Sequence, residues 1–341
     1  MACTTTYICS MQLFFSLIVP VYNRPQEIQE LLDSLCTQTF RPFEVVIVED
    51  GSTLSSASLV EQYSSKLNIA YFFKPNSGPG DSRNYGMQRA SGNYFLILDS
   101  DCILPPNYLA EAKAALEADY VDCFGGVDTA LDSFTPVQKA INFTMTSVLT
   151  TGGVRGASEK LGKFQPRSFN MGLSKKAFEA SGGFGRIHPG EDPDLSFRLW
   201  KLGFETRLFP QVAVFHKRRI DWDKFYTQVN KFGKVRPILN LWHPEYTKLT
   251  YWFPSVFLLG GIFALVGALL GYPHLLLLFV LYFLLCLVLA TVEYKSLKIG
   301  LLACRAVFIQ FLGYGSGFLL SFFKLKKDSP EKAFPELFFS K

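Results

Sequence analysis

The first part of the chain alternates short apolar runs with longer amphipathic stretches. Four apolar runs have the length and composition of buried strands, at residues 14–19, 43–48, 69–73 and 94–98. Three stretches between them, bounded by Gly, Pro or Asn, predict helices at residues 26–36, 56–65 and 82–90. This alternation predicts an α/β fold, with a mostly parallel sheet and helices on both of its faces. Farther along, residues 192–202 and 222–241 have helical spacing of apolar positions.

The pattern changes near Thr250, where long apolar runs begin. Residues 251–271 contain no charged side chain, and at about 1.5 Å per residue they match a hydrocarbon core of about 30 Å. A second run, 275–291, follows after a short turn, so the two predict a membrane hairpin. A third run, 299–323, contains Arg305 and Gln310 and precedes three lysines. It is compatible with a transmembrane, re-entrant or interfacial segment.

These patterns divide the chain into three regions. A globular domain covers residues 11–249, the hairpin covers 250–292, and the third apolar segment with its basic tail covers 293–341. The net charge of +5 is too small and too scattered for a dedicated nucleic-acid binder, so we expect no nucleic-acid partner. The seven cysteines form no CxxC pair, which indicates reduced thiols rather than disulfides or a zinc site.

Polar clusters follow three of the predicted strands, at the strand ends where ligands bind in an open parallel sheet. They are Val21-Tyr22-Asn23-Arg24, Glu49-Asp50-Gly51-Ser52 and Asp99-Ser100-Asp101. The carboxylates of Asp99 and Asp101 are hard oxygen ligands that suit Mg²⁺ or Mn²⁺ bridging phosphate oxygens. The alternative is a pair of solvated loop acids.

An ordered set of motifs runs through the globular domain. It comprises Ser16-Leu17-Ile18-Val19-Pro20-Val21-Tyr22-Asn23, Val48-Glu49-Asp50-Gly51-Ser52, Arg83-Asn84-Tyr85-Gly86, Ala90-Ser91-Gly92, Leu98-Asp99-Ser100-Asp101 and Gly190-Glu191-Asp192. In this order the motifs resemble the inverting family 2 glycosyltransferases, which have the GT-A fold. The resemblance extends from Phe15 to about Arg236.

The resemblance implies a nucleotide-sugar site. Its donor-binding residues would be Pro20, Val21, Tyr22, Asn23, Glu49, Asp50, Arg83, Asp99, Ser100 and Lys231. The base, uracil or guanine, would contact Asp50 or Glu49. We prefer Asp50, because Glu49 replaces the first acid of the usual Asp-Asp-Gly-Ser motif. A turn built on Gly51 would explain the same residues without a ligand.

The resemblance also implies catalytic and metal-binding roles. Asp192, paired with Glu191, would be the general base, although acids at a helix start also act as caps. Asp99, Asp101 and His216 would hold Mg²⁺ or Mn²⁺, with a structural role as the alternative for His216.

Two further segments affect the expected reaction. The Gly-, Ser- and Lys-rich residues 149–169 are longer than an ordinary connection and predict a functional loop that carries specificity. Gln228-Val229-Asn230-Lys231-Phe232 stands where processive relatives have Gln-x-x-Arg-Trp, and two of the three defining residues differ. Processive synthesis is therefore disfavoured.

Together these features predict an enzyme that transfers one sugar from a UDP- or GDP-sugar to a saccharide or lipid-linked acceptor at a lipid bilayer. We expect it in the inner membrane, with the catalytic domain facing the cytoplasm and acting in cell-surface polysaccharide or glycolipid assembly. Transfer to polyprenyl phosphate is an alternative within the class. Alternatives of another class are a nucleotide-sugar pyrophosphorylase, for which the chain lacks a Gly-rich N-terminal loop, and a non-catalytic membrane scaffold.

Overall fold

The computed structural model of the protein describes residues 12–129, 134–151, 163–216 and 221–339, and for His216 it describes the backbone. Within these residues an eight-stranded sheet is covered by helices and followed by three long apolar helices. The strands are β1 (Phe15–Val21), β2 (Phe43–Asp50), β3 (Ile69–Lys74), β4 (Tyr94–Leu98), β5 (Cys102–Ile103), β6 (Cys123–Thr129), β7 (Asn170–Ser174) and β8 (Thr206–His216).

Nine helices belong to the globular domain in the described part of the chain. They are α1 (Pro25–Cys36), α2 (Ala57–Glu61), α3 (Pro79–Arg89), α4 (Tyr108–Ala118), α5 (Pro136–Thr146), α6 (Val148–Thr151), α7 (Lys175–Ser181), α8 (Glu191–Lys201) and α9 (Trp222–Trp242). The apolar helices are α10 (Phe253–Leu269), α11 (His274–Tyr294) and α12 (Leu297–Lys324), and a short α13 (Pro330–Ala333) follows. Short 3₁₀ turns cover Pro244–Tyr246, Leu249–Trp252 and Pro335–Leu337.

The sheet order is β3-β2-β1-β4-β7-β6-β8-β5. Strands β3, β2, β1 and β4 are parallel, β7 is antiparallel to both β4 and β6, β8 is parallel to β6, and β5 is antiparallel to β8. The predicted α/β fold and the four predicted strands are confirmed. The helix predicted at residues 56–65 is shorter, because α2 ends at Glu61 and the chain continues in turns.

Apolar side chains fill both faces of the sheet. On one face Leu17, Val45 and Leu96 pack against α1 and α4, whose inward positions include Leu31 and Leu109. On the other face a second cluster joins the sheet to α3, α7 and α8; its members include Ile18, Val46, Ile97, Met87, Phe178 and Leu195. Because successive strand residues point to opposite faces, a buried run covered on both sides is apolar throughout. Burial on both faces fixes the positions of the strand ends that carry the polar clusters.

Helix α12 lies between the hairpin of α10 and α11 and the globular domain. It packs against α5 and α9 on one side and against α10 and α11 on the other. Two glycines permit the close approach to α9, because a Cβ at Gly313 would lie 2.6 Å from Val229 Cγ2 and one at Gly317 would lie 2.4 Å from the Asn230 carbonyl oxygen. The third apolar run is therefore half buried in protein, unlike the first two.

After α12 the chain returns to the globular domain and pairs with the segment before α8. The backbone N–H of His188 donates to the Leu337 carbonyl at 2.8 Å, and the N–H of Phe339 donates to the Arg186 carbonyl at 3.2 Å. Leu337 and Phe334 join Ile187 in an apolar cluster that also contains Val235 of α9. We call residues 330–339 the return segment. It connects the end of α12 directly to the residues that precede α8.

Candidate active site

Asp99 and Asp101 lie at the carboxyl edge of the sheet, directly after β4. The turn there is closed by a hydrogen bond of 3.2 Å from the Cys102 N–H to the Asp99 carbonyl. Cys102 then pairs with His216 at the end of β8, so the backbone of His216 lies beside Asp101. Asp99, Asp101 and the backbone of His216 thus lie at one edge of the sheet, and the His216 side chain lies outside the described residues. Ser100, between the two acids, is buried.

Arg83 of α3 joins Asp99 to the catalytic pair expected at the start of α8. Its guanidinium donates to Asp99 Oδ1 at 2.8 Å and to Glu191 Oε1 at 3.4 Å, and it lies 5.3 Å from the centre of the Phe184 ring. Only 5% of the Arg83 side chain is exposed. Although burial lowers the pKa of Arg83, Asp99 and Glu191 outweigh it and raise the pKa above its ordinary value. The positive charge of Arg83 is therefore held in a fixed position at the sheet edge.

Asp101 has a different basic partner, Arg24, which follows β1. Arg24 Nη1 lies 2.8 Å from Asp101 Oδ2, and 47% of the Arg24 side chain is exposed against 13% for Asp101. Among the contacts of the described residues, Asp99 thus contacts Arg83 and Asp101 contacts Arg24. The sequence predicts Arg24 in the polar cluster after β1 but not its contact with Asp101, because the two residues are 77 positions apart and the pairing depends on the strand order.

The loop after β1 has one exposed aromatic ring held on a fixed backbone. Val21 is buried, Pro20 is half buried, and Tyr22 is 52% exposed. Asn23 has φ of 54° and its side-chain oxygen accepts hydrogen bonds of 2.8 Å from the Thr53 N–H and 3.0 Å from the Leu54 N–H. Asn and Asp adopt this left-handed backbone more readily than other non-glycine residues. Asn23 thus connects the loops after β1 and β2.

The two acids at the end of β2 have different surroundings. Asp50 accepts from Lys74 Nζ at 2.6 Å, from the Ser77 N–H at 2.9 Å and from the Gly78 N–H at 2.9 Å, so it fixes the start of α3. Glu49 Oε2 accepts from the Ser56 N–H at 2.8 Å and from the Tyr71 hydroxyl at 2.9 Å. Glu49 Oε1 is buried and has no partner among the described residues. Asp50 is thus engaged in structural bonds.

Glu191 and Asp192 open α8 after Gly190, whose φ of 120° suits glycine. Burial raises the pKa of Asp192 to about 6, with a further rise from Glu191, while Arg83, Ser168 and Arg167 oppose the rise. Asp192 Oδ1 is buried without a hydrogen-bond partner in the described part of the chain. Burial also raises the pKa of Glu191, but the hydrogen bond of 2.9 Å with His188 Nδ1 and the charge of Arg83 lower it below its ordinary value overall. The two acids thus titrate in different ranges.

A small cavity lies beside the residues that precede Glu191 and Asp192. It has a volume of about 150 Å³ and lies between α3, the residues before α8 and the return segment. Its lining includes Asn84, Phe184, His188 and Phe339. His188, which contacts Glu191, was not predicted as a site residue, and its partner Phe339 comes from the far end of the chain.

A second network holds α8 in place. Asp194 accepts from Arg198 Nη2 at 2.8 Å and lies 2.9 Å from His243 Nε2, while Arg198 also donates to the Gly183 carbonyl at 2.7 Å. The network fixes the Gly-rich turn before α8 and the C-terminal end of α9. The spacing of Asp194 and Arg198, four residues apart on a predicted helix, was a usable sequence signal.

For some predicted residues, the described part of the chain shows no contact with this edge of the sheet. Lys231 lies on α9, and no hydrogen bond or ion pair in the described ranges joins it to Asp99, Asp101 or Arg83. Of the loop predicted at residues 149–169, residues 152–162 lie outside the described residues, as do Lys217, Arg218 and Arg219.

The carboxylates of Asp99 and Asp101 fit a divalent cation whose remaining coordination positions are filled by a bound ligand and water. In the described ranges, no group of three or more His, Cys, Asp or Glu side chains could hold a metal. However, Mg²⁺ is usually held by one or two carboxylates together with substrate phosphates and water. Asp99 and Asp101 could offer two carboxylates of this kind beside Arg83.

Comparisons with known proteins show which family and which fold this chain is similar to. Residues 16–184 match the family described as Glycosyl transferase family 2. Over 112 residues the chain is 39% identical to the poly(ribitol-phosphate) beta-N-acetylglucosaminyltransferase TarS of Staphylococcus aureus, a match covering 32% of this chain and 20% of TarS. Over 95 residues it is 38% identical to the glycosyltransferase GlyA of Streptococcus pneumoniae, covering 28% of this chain and 14% of GlyA. The chain thus matches a fifth or less of the length of these relatives.

A solved structure has the same fold over most of the chain. It is the mannosyltransferase PcManGT from Pyrobaculum calidifontis, described in complex with GDP-Man and Mn²⁺. The likeness has a TM-score of 0.62 and 17% identity, and covers 89% of this chain and 88% of that one. The predicted GT-A type of fold is confirmed.

Proposed function

The chain contains a glycosyl transferase family 2 domain, and we propose that it transfers one sugar at a time from a nucleotide-diphosphate sugar to a membrane-associated acceptor. The observation that carries the proposal is the single cluster at the sheet edge. There the buried Arg83 contacts both the Asp99 carboxylate and Glu191 directly, and Asp192 follows Glu191 in the chain. Such a cluster has a cation for phosphate and a carboxylate for an acceptor hydroxyl.

Asp192 is proposed as the general base. Its pKa of about 6 leaves it ionised at neutral pH yet basic enough to take a proton in the transition state. The hydrogen bond with His188 and the charge of Arg83 lower the pKa of Glu191, and the charge of Glu191 adds to the rise that burial causes in the pKa of Asp192. Attack by the acceptor oxygen on the side opposite the diphosphate would invert the anomeric carbon.

The donor diphosphate is proposed to bind at Asp99, Asp101 and Arg83, with Mg²⁺ or Mn²⁺ held by the two aspartates and His216. The cation would neutralise the departing diphosphate. Tyr22, exposed on a fixed loop, and the acids Glu49 and Asp50 are proposed to line the base pocket for uracil or guanine. Because Asp50 already accepts three hydrogen bonds, Glu49 is an equal candidate for contact with the base.

A membrane-associated acceptor is proposed from the packing of the apolar helices. Tyr282 of α11 donates to the Leu149 carbonyl at 3.0 Å, and Gln310 of α12 donates to the Thr150 carbonyl at 3.3 Å. Arg167 and Ser168, farther along the chain, both act on Asp192. Leu149 and Thr150 thus contact the apolar helices, and Arg167 and Ser168 act on the proposed base, which supports a reaction near the bilayer.

The third apolar helix is proposed to lie at the bilayer interface on the side of the catalytic domain. This agrees with its burial between α5, α9 and the hairpin, and with the return segment that follows it. The basic residues Lys324, Lys326 and Lys327 would then stay on that side, which we propose is the cytoplasmic face of the inner membrane. TarS is named as a poly(ribitol-phosphate) beta-N-acetylglucosaminyltransferase, that is, for transfer of a sugar to a polymer. By analogy, we propose an acceptor in cell-surface polysaccharide or glycolipid assembly.

The proposed function is tested by measuring nucleoside diphosphate release. Purified protein in lipid nanodiscs is incubated with a panel of UDP- and GDP-sugars, membrane extract as acceptor, and Mn²⁺ or EDTA. We expect acceptor-stimulated release of UDP or GDP that EDTA abolishes. Pyrophosphate exchange into the donor would instead identify a pyrophosphorylase, and absence of both reactions with every donor would support the scaffold.

A further inference from the structure

Arg24 occupies a position between the proposed nucleotide loop and the proposed metal ligands. It directly follows Tyr22 and Asn23 and is the residue before α1. Its backbone is held at the start of α1, because the Arg24 carbonyl accepts the Ile28 N–H at 3.2 Å and the preceding Asn23 N–H donates to Ser52 Oγ at 2.8 Å. The Arg24 side chain is the part that can move, and it reaches across to Asp101 Oδ2 at 2.8 Å.

The two arginines at this edge differ in freedom. Arg83 is buried against Asp99, Glu191 and the Phe184 ring, so it cannot leave without breaking several contacts. Arg24 is 47% exposed, and exposed ion pairs contribute little to stability. Its contact with Asp101 can therefore be exchanged for another anion at small cost.

The contact of Arg24 also conflicts with the proposed role of Asp101. A cation such as Mg²⁺ binds carboxylate oxygen at about 2.0–2.1 Å, so it would lie within a few ångströms of the guanidinium on the same carboxylate. Like charges at that distance repel each other. A diphosphate that arrives with the cation offers negative oxygens, which an arginine binds in a bidentate manner.

We propose that Arg24 is a donor-binding residue that exchanges its partner: it neutralises Asp101 before the donor arrives and contacts the donor diphosphate afterwards. This inference rests on the proposed function of the site. Arg24 would then affect cation binding and nucleotide binding in opposite directions. Without donor, Arg24 opposes the binding of a divalent cation to Asp101, and with donor it strengthens the binding of the nucleotide.

The test measures both effects on the full chain in detergent. Mn²⁺ binding is titrated by the electron paramagnetic resonance signal of free Mn²⁺, without nucleotide, and UDP and GDP binding is then titrated by calorimetry in saturating Mn²⁺. The variants are Arg24→Gln and Arg24→Lys. The matched control is Arg41→Gln, which removes the same charge from an exposed residue just before β2, at the opposite end of that strand from Asp50.

We expect Arg24→Gln to bind Mn²⁺ about three- to tenfold more tightly than the wild type without nucleotide, and to bind UDP or GDP about tenfold more weakly with Mn²⁺. Arg24→Lys should fall between the two, and Arg41→Gln should match the wild type. A merely structural role would weaken both affinities together, so that result, or no change in either, would overturn the inference.

The wild-type titration separates this inference from the proposed function. A wild type that binds neither Mn²⁺ nor a nucleoside diphosphate would overturn the proposed function and the role of Arg24 with it. A wild type that binds both, alongside an Arg24→Gln variant with unchanged affinities, would overturn the role of Arg24 alone.

Discussion

Asp192 differs from an ordinary surface aspartate in its burial and in its charged neighbour. One of its carboxylate oxygens is buried without a described partner, and Glu191 precedes it in the chain. The Asp192→Asn variant keeps the size of the side chain but cannot accept the acceptor proton. We expect transfer to fall by about 10²- to 10⁴-fold. Binding of the nucleotide donor, measured by calorimetry, should stay within about twofold, and a variant that retains transfer would remove Asp192 from the role of base.

The pH dependence of transfer follows from the pKa of Asp192. Because the base must be ionised and its pKa is about 6, activity should be constant above that value and fall tenfold per pH unit below it. The measurement is kcat/KM from pH 5 to 8, with protein stability checked at each pH. If kcat/KM instead falls only near pH 4, about the ordinary pKa of aspartate, then burial and Glu191 do not raise the pKa of the base.

At this scale the sequence predicted which residues would gather but not how they pair. Asp99 and Asp101 were placed at the sheet edge because they follow a buried strand, and that placement follows from the apolar pattern alone. The pairing of Arg24 with Asp101, and of Lys74 with Asp50, depends on which strands are neighbours in the sheet. Residues far apart in the chain meet there, so local pattern could not reveal them.

At the scale of elements, the return segment supports the residues that carry the catalytic pair. Leu337 is buried against Ile187, and its carbonyl accepts the His188 N–H three residues before Glu191. A Leu337→Asp substitution would place a charge in this apolar contact. We expect hydrogen exchange of the amides at residues 184–190 to accelerate by about tenfold or more. A tenfold acceleration corresponds to a loss of about 1.4 kcal/mol in the free energy of local opening.

The control for that prediction is Glu331→Gln, which changes an exposed side chain in the same segment. Its exchange at residues 184–190 should equal that of the wild type by hydrogen exchange with mass spectrometry. If residues 184–190 exchange as slowly in Leu337→Asp as in the wild type, the return segment does not hold the loop before α8.

The elements themselves were largely predictable, whereas their packing was not. Buried apolar runs and amphipathic spacing gave the strands β1 to β4 and the helices α1, α3, α8 and α9. The position of α12 depends on the close approach at Gly313 and Gly317, which length and hydropathy do not encode. The pairing of the return segment with residues 186–188 likewise involves backbone groups, which leave little trace in the sequence.

At the scale of the whole molecule, the proposed topology places the hairpin turn on the opposite side of the bilayer from both the catalytic domain and the end of α12. Tyr272 is exposed at that turn, Ser329 is exposed after α12, and Ser55 is exposed in the globular domain. Single cysteines at these positions, in a chain whose native cysteines are replaced, report the side through a membrane-impermeant maleimide.

We expect Ser329→Cys and Ser55→Cys to be labelled from the same side, and Tyr272→Cys from the other. Labelling of Ser329→Cys together with Tyr272→Cys would mean that α12 crosses the bilayer. The return segment could not then contact the residues before α8, because those contacts require both on one side.

The central claim is that the edge formed by Asp99, Asp101 and Arg83 binds a nucleoside diphosphate together with a divalent cation. Calorimetric titration of UDP and of GDP into the full chain, with Mn²⁺ and with EDTA, tests it most directly. We expect binding of one of the two nucleotides that requires Mn²⁺ and weakens at least about tenfold in Asp101→Asn. Equal binding in EDTA, or an Asp101→Asn variant with the affinity of the wild type, would contradict it.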